Sequence, residues 1–276
     1  MFALRPLIAS LGLAAIAWHA NAPVAVAHEF WIDAESYKVS VAEPVTANLR
    51  VGQDYEGSAF SFLPRSFRRF DLIEQGATRP VEGRLGDIPA LTVEVDEGLL
   101  VVVHETTDSR LTYTEMSKFA DFVLHKDAAW TLDVHTERGF PEDQFREVYS
   151  RYAKALIAVG SGAGADQEAG LETEFIALAN PYTDLVGGAF PVRLLYRGEP
   201  RPDAQVEVFE KMPDGSVTVN FVRTDADGVA QVPVSAGNRY MIDAVVLREP
   251  TPDLAEETGA VWESLWANMT FAIPAR

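Results

Sequence analysis

Residues 191–247 repeat one pattern: a short run rich in alternating apolar side chains, then a turn. PVRLL (Pro191–Leu195) leads through RGEPRP into QVEVFE, and MPDG (Met212–Gly215) turns into VTVNFVR (Val217–Arg223). TDADG (Thr224–Gly228) leads into VAQVPV (Val229–Val234), and SAGN (Ser235–Asn238) into YMIDAVVL (Tyr240–Leu247). Side chains of a strand alternate between its two faces, and Gly, Pro, Asp and Asn supply the backbone angles of tight turns. Strands at roughly ten-residue spacing with such turns predict an antiparallel β-sandwich, which Thr270–Ile273 would close.

The preceding half is also strand-rich. Tyr37–Val41, Pro44–Val51, Leu91–Val95 and Leu99–His104 read as strands. Phe60–Phe70 (FSFLPRSFRRF) reads as an amphipathic strand or loop with a buried Phe face. Two stretches carry helical spacing. Thr114–Lys126 places Met116, Phe119, Phe122 and Val123 on one face, and Phe145–Val159 does the same with Val148, Tyr149, Tyr152 and Leu156. Between them, Trp130–His135 (WTLDVH) is expected as a short strand. The fold class is therefore mainly β: two β-sandwich domains, with two helices in the first.

Gly160–Gly170 (GSGAGADQEAG) is small, polar and flexible in composition. It divides the chain into an expected β-rich domain at 28–159, a linker or loop at 160–170 and a second sandwich at 171–276. Residues 1–27 have the parts of a cleaved secretory signal: Arg5, an apolar run from Pro6 to Trp18, and Ala25-Val26-Ala27 as the cleavage triplet. The apolar run is short of the ~20 residues that span a bilayer. Export to the periplasm is the expectation, with His28 as the first mature residue.

The chain holds 41 Asp and Glu against 23 Lys and Arg, a net charge of −18. That balance disfavours nucleic acid and anionic membranes as partners. It contains no Cys, which excludes disulfides, thiolate metal sites and a lipidated N-terminal Cys.

Catalytic templates are missing. There is no G-x-S-x-G elbow, no glycine-rich phosphate loop and no H-E-x-x-H. TDADG resembles the start of an EF-hand loop but lies between strands and lacks the Glu at position 12, so it is a turn. WESLW offers Trp262 and Trp266, expected in the core rather than as a sugar platform.

The histidines carry more chemistry. A mature N-terminal His28 presents an α-amine and a ring Nδ1 that chelate one metal together, and a second His completes a three-nitrogen brace suited to Cu(II) or Ni(II), with Zn also accommodated. His104 and His135, each at the end of an expected strand, are the candidate partners. His125 lies on a helix face among carboxylates and is the weakest candidate. The third mature position is Phe30, which rules out the N-terminal motif that requires a His there.

HEFWID (His28–Asp33), the run HTERGFPEDQFREVYSRYAKALI (His135–Ile157), TDADG and WESLW resemble the domain-of-unknown-function 4198 family, whose members are often labelled nickel or cobalt uptake transporter-like periplasmic proteins. The similarity covers about 28–274, and Glu147–Leu156 is its most specific part. It implies an exported protein of β-sandwich domains, the second transthyretin- or immunoglobulin-like, with a link to transition-metal handling. His28 matches the family's His after the signal. Where relatives place a Gly-His turn, this chain has Gly52-Gln53. The expected function is a non-enzymatic binding protein for nickel, cobalt or copper at His28, His104 and His135, serving a membrane metal transporter or outer-membrane receptor. The alternatives are a metal-free interaction module and a mononuclear copper oxidase.

Overall fold

A computed structural model describes residues 28–184 and 188–275; the expected signal peptide lies outside them. The chain opens with β1 (Glu29–Ala34), β2 (Lys38–Val39), β3 (Val45–Gln53) and β4 (Glu56–Phe60). There follow β5 (Phe67–Glu74), β6 (Ala77–Pro80), β7 (Leu91–Val93), β8 (Gly98–Thr106) and β9 (Ser109–Tyr113). Two helices, α1 (Met116–His125) and α2 (Trp130–Glu137), precede β10 (Phe145–Val159). The rest comprises β11 (Thr173–Ala177), β12 (Ala189–Tyr196), β13 (Glu199–Pro200), β14 (Gln205–Lys211), β15 (Val217–Arg223), β16 (Val229–Pro233), β17 (Arg239–Arg248), α3 (Pro252–Thr258) and β18 (Ala260–Ala272). No helix among the described residues is long and apolar enough to cross a membrane.

The architecture is mainly β and layered like a sandwich. Its centre is a ten-stranded sheet in the order β15-β14-β17-β18-β10-β8-β5-β6, with β2 and β9 also pairing with β10. β10 and β18 run parallel, from Arg146↔Ala260 to Ala155↔Thr270. Strand alternation sends successive side chains to opposite faces, and both faces are covered. On one, Leu156, Leu265, Met269, Ile242 and Val208 pack against Phe175, Phe190, Val192 and Leu194 of the sheet formed by β11, β12, β13 and β16. On the other, Leu72, Val102, Ala155 and Ile157 pack under Phe30, Ile32 and Leu49 of the sheet formed by β1, β3, β4 and β7. Further along that face, Val245, Trp262 and Trp266 are roofed by Phe119, Phe122 and Val123 of α1.

The strands read from 191–247 form as expected: MPDG closes the β14–β15 hairpin, while TDADG and SAGN carry the chain between the central sheet and β16 of the other sheet, and Asp225 makes the TDADG turn by accepting the backbone N–H groups of Asp227 and Val229. Gly228 takes φ +71° there, close against the Leu194 carbonyl. The helix expected at Thr114–Lys126 is α1. Phe62 and Phe70 are buried, Trp262 and Trp266 are in the core, and Thr270–Ile273 belongs largely to the long β18.

Two elements exchange type. Phe145–Val159, expected as a helix, is strand β10. It lies in the middle of the sheet with almost every residue buried on one face or the other, so its apolar run has no wet face to betray its period. Trp130–His135, expected as a strand, is helix α2. Its buried residues are Thr131 and His135, four apart and on one helical face.

Segment 160–170 is pinned along its length. The Ala163 carbonyl accepts Leu99 N–H, and Asn180 Nδ2 donates to the carbonyls of Gly162 and Gly164. Lys154 Nζ reaches Asp166, and Glu174 accepts the N–H groups of Ala169, Gly170 and Leu171. The central sheet does not divide there: β10 on one side of the segment pairs with β18 on the other.

Candidate functional site

His104 sits near the end of β8 on the face covered by β1. Its ring is 4.8 Å from that of Phe30, 5.3 Å from Phe67 and 5.1 Å from Phe70, centroid to centroid. The residue is 2% exposed, and neither Nδ1 nor Nε2 has a hydrogen-bond partner among the described residues. Burial pushes its pKa down to about 3, so the imidazole is neutral. A buried polar group without a partner carries a desolvation penalty of about 1–3 kcal/mol. His104 forms part of the wall of a cavity of about 260 Å³, with Phe30, Leu49, Phe60, Leu63 and Phe67 as apolar walls, Ser61, Ser66, Thr107 and Ser109 among the lining hydroxyls, and Arg151.

His28 lies immediately before β1. Its carbonyl accepts two hydrogen bonds from Arg151, from Nε at 3.1 Å and Nη2 at 2.9 Å. It borders an open cleft with Gln53, Glu56 and Ser58, and that cleft shares Val51 and Phe60 with the His104 cavity. The sequence-predicted His28 and His104 thus border adjoining recesses that share Val51 and Phe60, and neither recess is lined by both.

His135 is elsewhere. It lies on α2 in the core over Trp262, with its ring 4.5 Å from that of Phe145. Its Nε2 donates to the Pro141 carbonyl at 2.9 Å, and its Nδ1 accepts from Trp262 Nε1 at 3.0 Å. Both nitrogens are occupied, so His135 holds α2 onto the sheet instead of joining His28 and His104. Among the described residues, no three His, Asp or Glu side chains converge as a metal site.

Arg151 lies in the stretch Phe145–Val159, read from the sequence as a helix, which hid its role. In β10 it projects from the opposite face to Lys154, and Glu147 is satisfied by Tyr113 and Ser264 hydroxyls. Burial pushes the Glu147 carboxyl up to about 7.

A second polar centre lies beside the first. Lys126, which caps α1, places its ammonium 2.6 Å from Glu207, 3.3 Å from Glu29 and 3.4 Å from Asp243, and 4.7 Å from the centre of the Trp266 ring. His125 Nε2 is 3.2 Å from the other Glu207 oxygen, and that carboxylate raises the His125 pKa. Three buried carboxylates converge here, and the chain's own ammonium sits between them. The partners are 81 to 117 residues from Lys126 in sequence, so no local motif marks the centre. Glu29 follows His28 directly, so Lys126 and Arg151 grip the chain on either side of the His28–Glu29 peptide.

Family comparison identifies residues 25–248 with the family described as "Domain of unknown function (DUF4198)". No curated protein matches the sequence. A solved structure described as "Crystal structure of tetra-tandem repeat in extending region of large adhesion protein" aligns at 13% identity over 89% of this chain and 49% of that chain, with a TM-score of 0.20. This chain spans about half the length of that one, and so low a score carries no argument.

Proposed function

This chain belongs to the DUF4198 family, and on that premise we propose that it is an exported binding protein for a divalent transition metal, held by His28 and His104. The observation that carries the proposal is His104: a neutral, buried imidazole whose two nitrogens have no partner among the described residues, in a cavity that adjoins the His28 cleft. Nothing protonated has to be displaced from that ring before it ligates. Cleavage after Ala27 would add the α-amine and make His28 bidentate, and a nitrogen-only set suits nickel, copper or cobalt. Arg151 fixes the His28 carbonyl and Lys126 fixes Glu29, which orients the N-terminal residue before any ion arrives. His135 takes no part. The proposed setting is the periplasm, with a membrane metal transporter or outer-membrane receptor as partner, and the role is binding rather than catalysis.

The test is intact mass and metal content of protein purified after export. We expect a chain beginning at His28 with about one metal ion bound. An Ala inserted before His28, or His104→Phe, should weaken that metal at least a hundredfold, whereas Glu105→Gln should not. A chain that starts elsewhere, or a titration indifferent to both changes, removes this reading. Oxygen-dependent turnover by the copper-loaded protein would replace it with the oxidase.

A further inference from the structure

We propose that the cavity between His104 and Arg151 binds a small organic anion, a carboxylate on a compact apolar body. This goes beyond the metal reading and stands on the cavity alone, because a metal ion at His28 and His104 would leave most of that volume unfilled.

The first argument is charge. Acidic residues outnumber basic ones 41 to 23 in this chain, yet no carboxylate lines the cavity, and Arg151 is its single formally charged residue. A guanidinium on an apolar wall attracts an anion more strongly than one in water, since the local dielectric is lower. Arg151 uses Nε and Nη2 to hold the His28 carbonyl and lies over the Tyr149 ring, so a carboxylate would meet the guanidinium beside Tyr149.

His104 supplies the second argument. A neutral imidazole has one N–H, and here neither ring nitrogen is engaged within the described residues. A carboxylate lying between Arg151 and His104 would accept that N–H and relieve the orphaned donor.

Size and lining supply the third. At about 260 Å³ the cavity lies just below the ~300–1,000 Å³ range of drug-sized ligand sites, so the ligand is small. Phe30, Leu49, Phe60 and Phe67 form walls that a bare inorganic anion would leave without contact. The ligand therefore pairs a carboxylate with a compact apolar group, as isobutyrate or benzoate does.

The experiment is calorimetry on chelator-treated, metal-free protein with benzoate, isobutyrate, benzamide and inorganic phosphate. We expect one saturable carboxylate site, with benzamide and phosphate at least tenfold weaker. Arg151→Gln should cost at least tenfold and Arg151→Lys less. Ser66→Trp, at an exposed position on the rim, should block binding without changing the melting temperature. No carboxylate binding to the wild type, or binding untouched by Arg151→Gln and Ser66→Trp, overturns the proposal. Phosphate as tight as benzoate overturns the apolar body. Repeating the titration with nickel separates the two readings: carboxylate bound with no metal bound sinks only the metal proposal.

Discussion

His104 gives the molecule an acid-sensitive signature of its own. Its pKa is about 3 in the fold against an ordinary 6.5. Between those values the unfolded chain takes up a proton that the folded chain refuses, so this residue's contribution to stability falls as pH drops below 6.5. Two pH units below 6.5 the loss amounts to about 2–3 kcal/mol. His104→Phe should abolish that part of the slope, and metal-free denaturant melts of wild type and variant at about pH 7 and about pH 4.5 measure it. A variant slope equal to the wild type's contradicts the burial argument. Glu147 acts in the opposite sense: raised to about 7 by burial, it favours the folded state toward acid. Lys126→Met leaves Glu29, Glu207 and Asp243 facing one another without their cation, and removing one partner of a buried ion group costs about 3–5 kcal/mol. That loss should shrink as pH falls and the carboxylates protonate, which the same melts would record. The sequence displays the histidines but not their fates. Occupied nitrogens on His135 and free ones on His104 are decided by Pro141, Trp262 and three Phe rings, all supplied by the fold.

At the scale of elements, the β3–β4 hairpin shapes both the cavity and the His28 cleft. Gly57 crosses so close to Val51 that a Cβ would lie 2.3 Å from the Val51 carbonyl oxygen and 2.8 Å from the Trp31 ring. Gly57→Ala should therefore destabilise by about 1–3 kcal/mol, the usual cost of overpacking, and displace Phe60 from the shared wall. A melting temperature within a degree of wild type would show that the hairpin has slack. Turns and hairpins were legible because Gly, Asp and Pro act locally. β10 and α2 were misread for a common reason: burial. A strand covered on both faces loses its alternation, and an eight-residue helix spans only about two turns. Arg151 and Lys154, three apart in β10, serve opposite faces of that strand.

For the whole molecule, one central sheet takes strands from both sides of 160–170, and the buried cluster that contains Leu156 also contains Phe175 and Leu265. We expect a single cooperative thermal transition by near-ultraviolet dichroism and calorimetry alike. Fragments 28–159 and 171–275 made separately should each lose that transition and regain it when mixed. Two independent transitions in the intact protein would contradict this. The glycine-rich composition of 160–170 indicated a break in regular structure, which is there. It could not indicate that Lys154, Asn180 and Glu174 hold the segment against the sheet.

Parallel pairing of β10 with β18 also sets a schedule. Lys154 and Thr270 meet from positions 116 apart in sequence, so β10, which pairs with β8 and β9 upstream, waits for almost everything downstream before its other edge is covered. Contacts of such sequence separation form slowly, and a fifteen-residue strand with one edge uncovered can adhere to other chains in the meantime. A polypeptide built this way keeps one edge of its central strand open to the wrong partners until its last strand has been made, and only then gains its full shape.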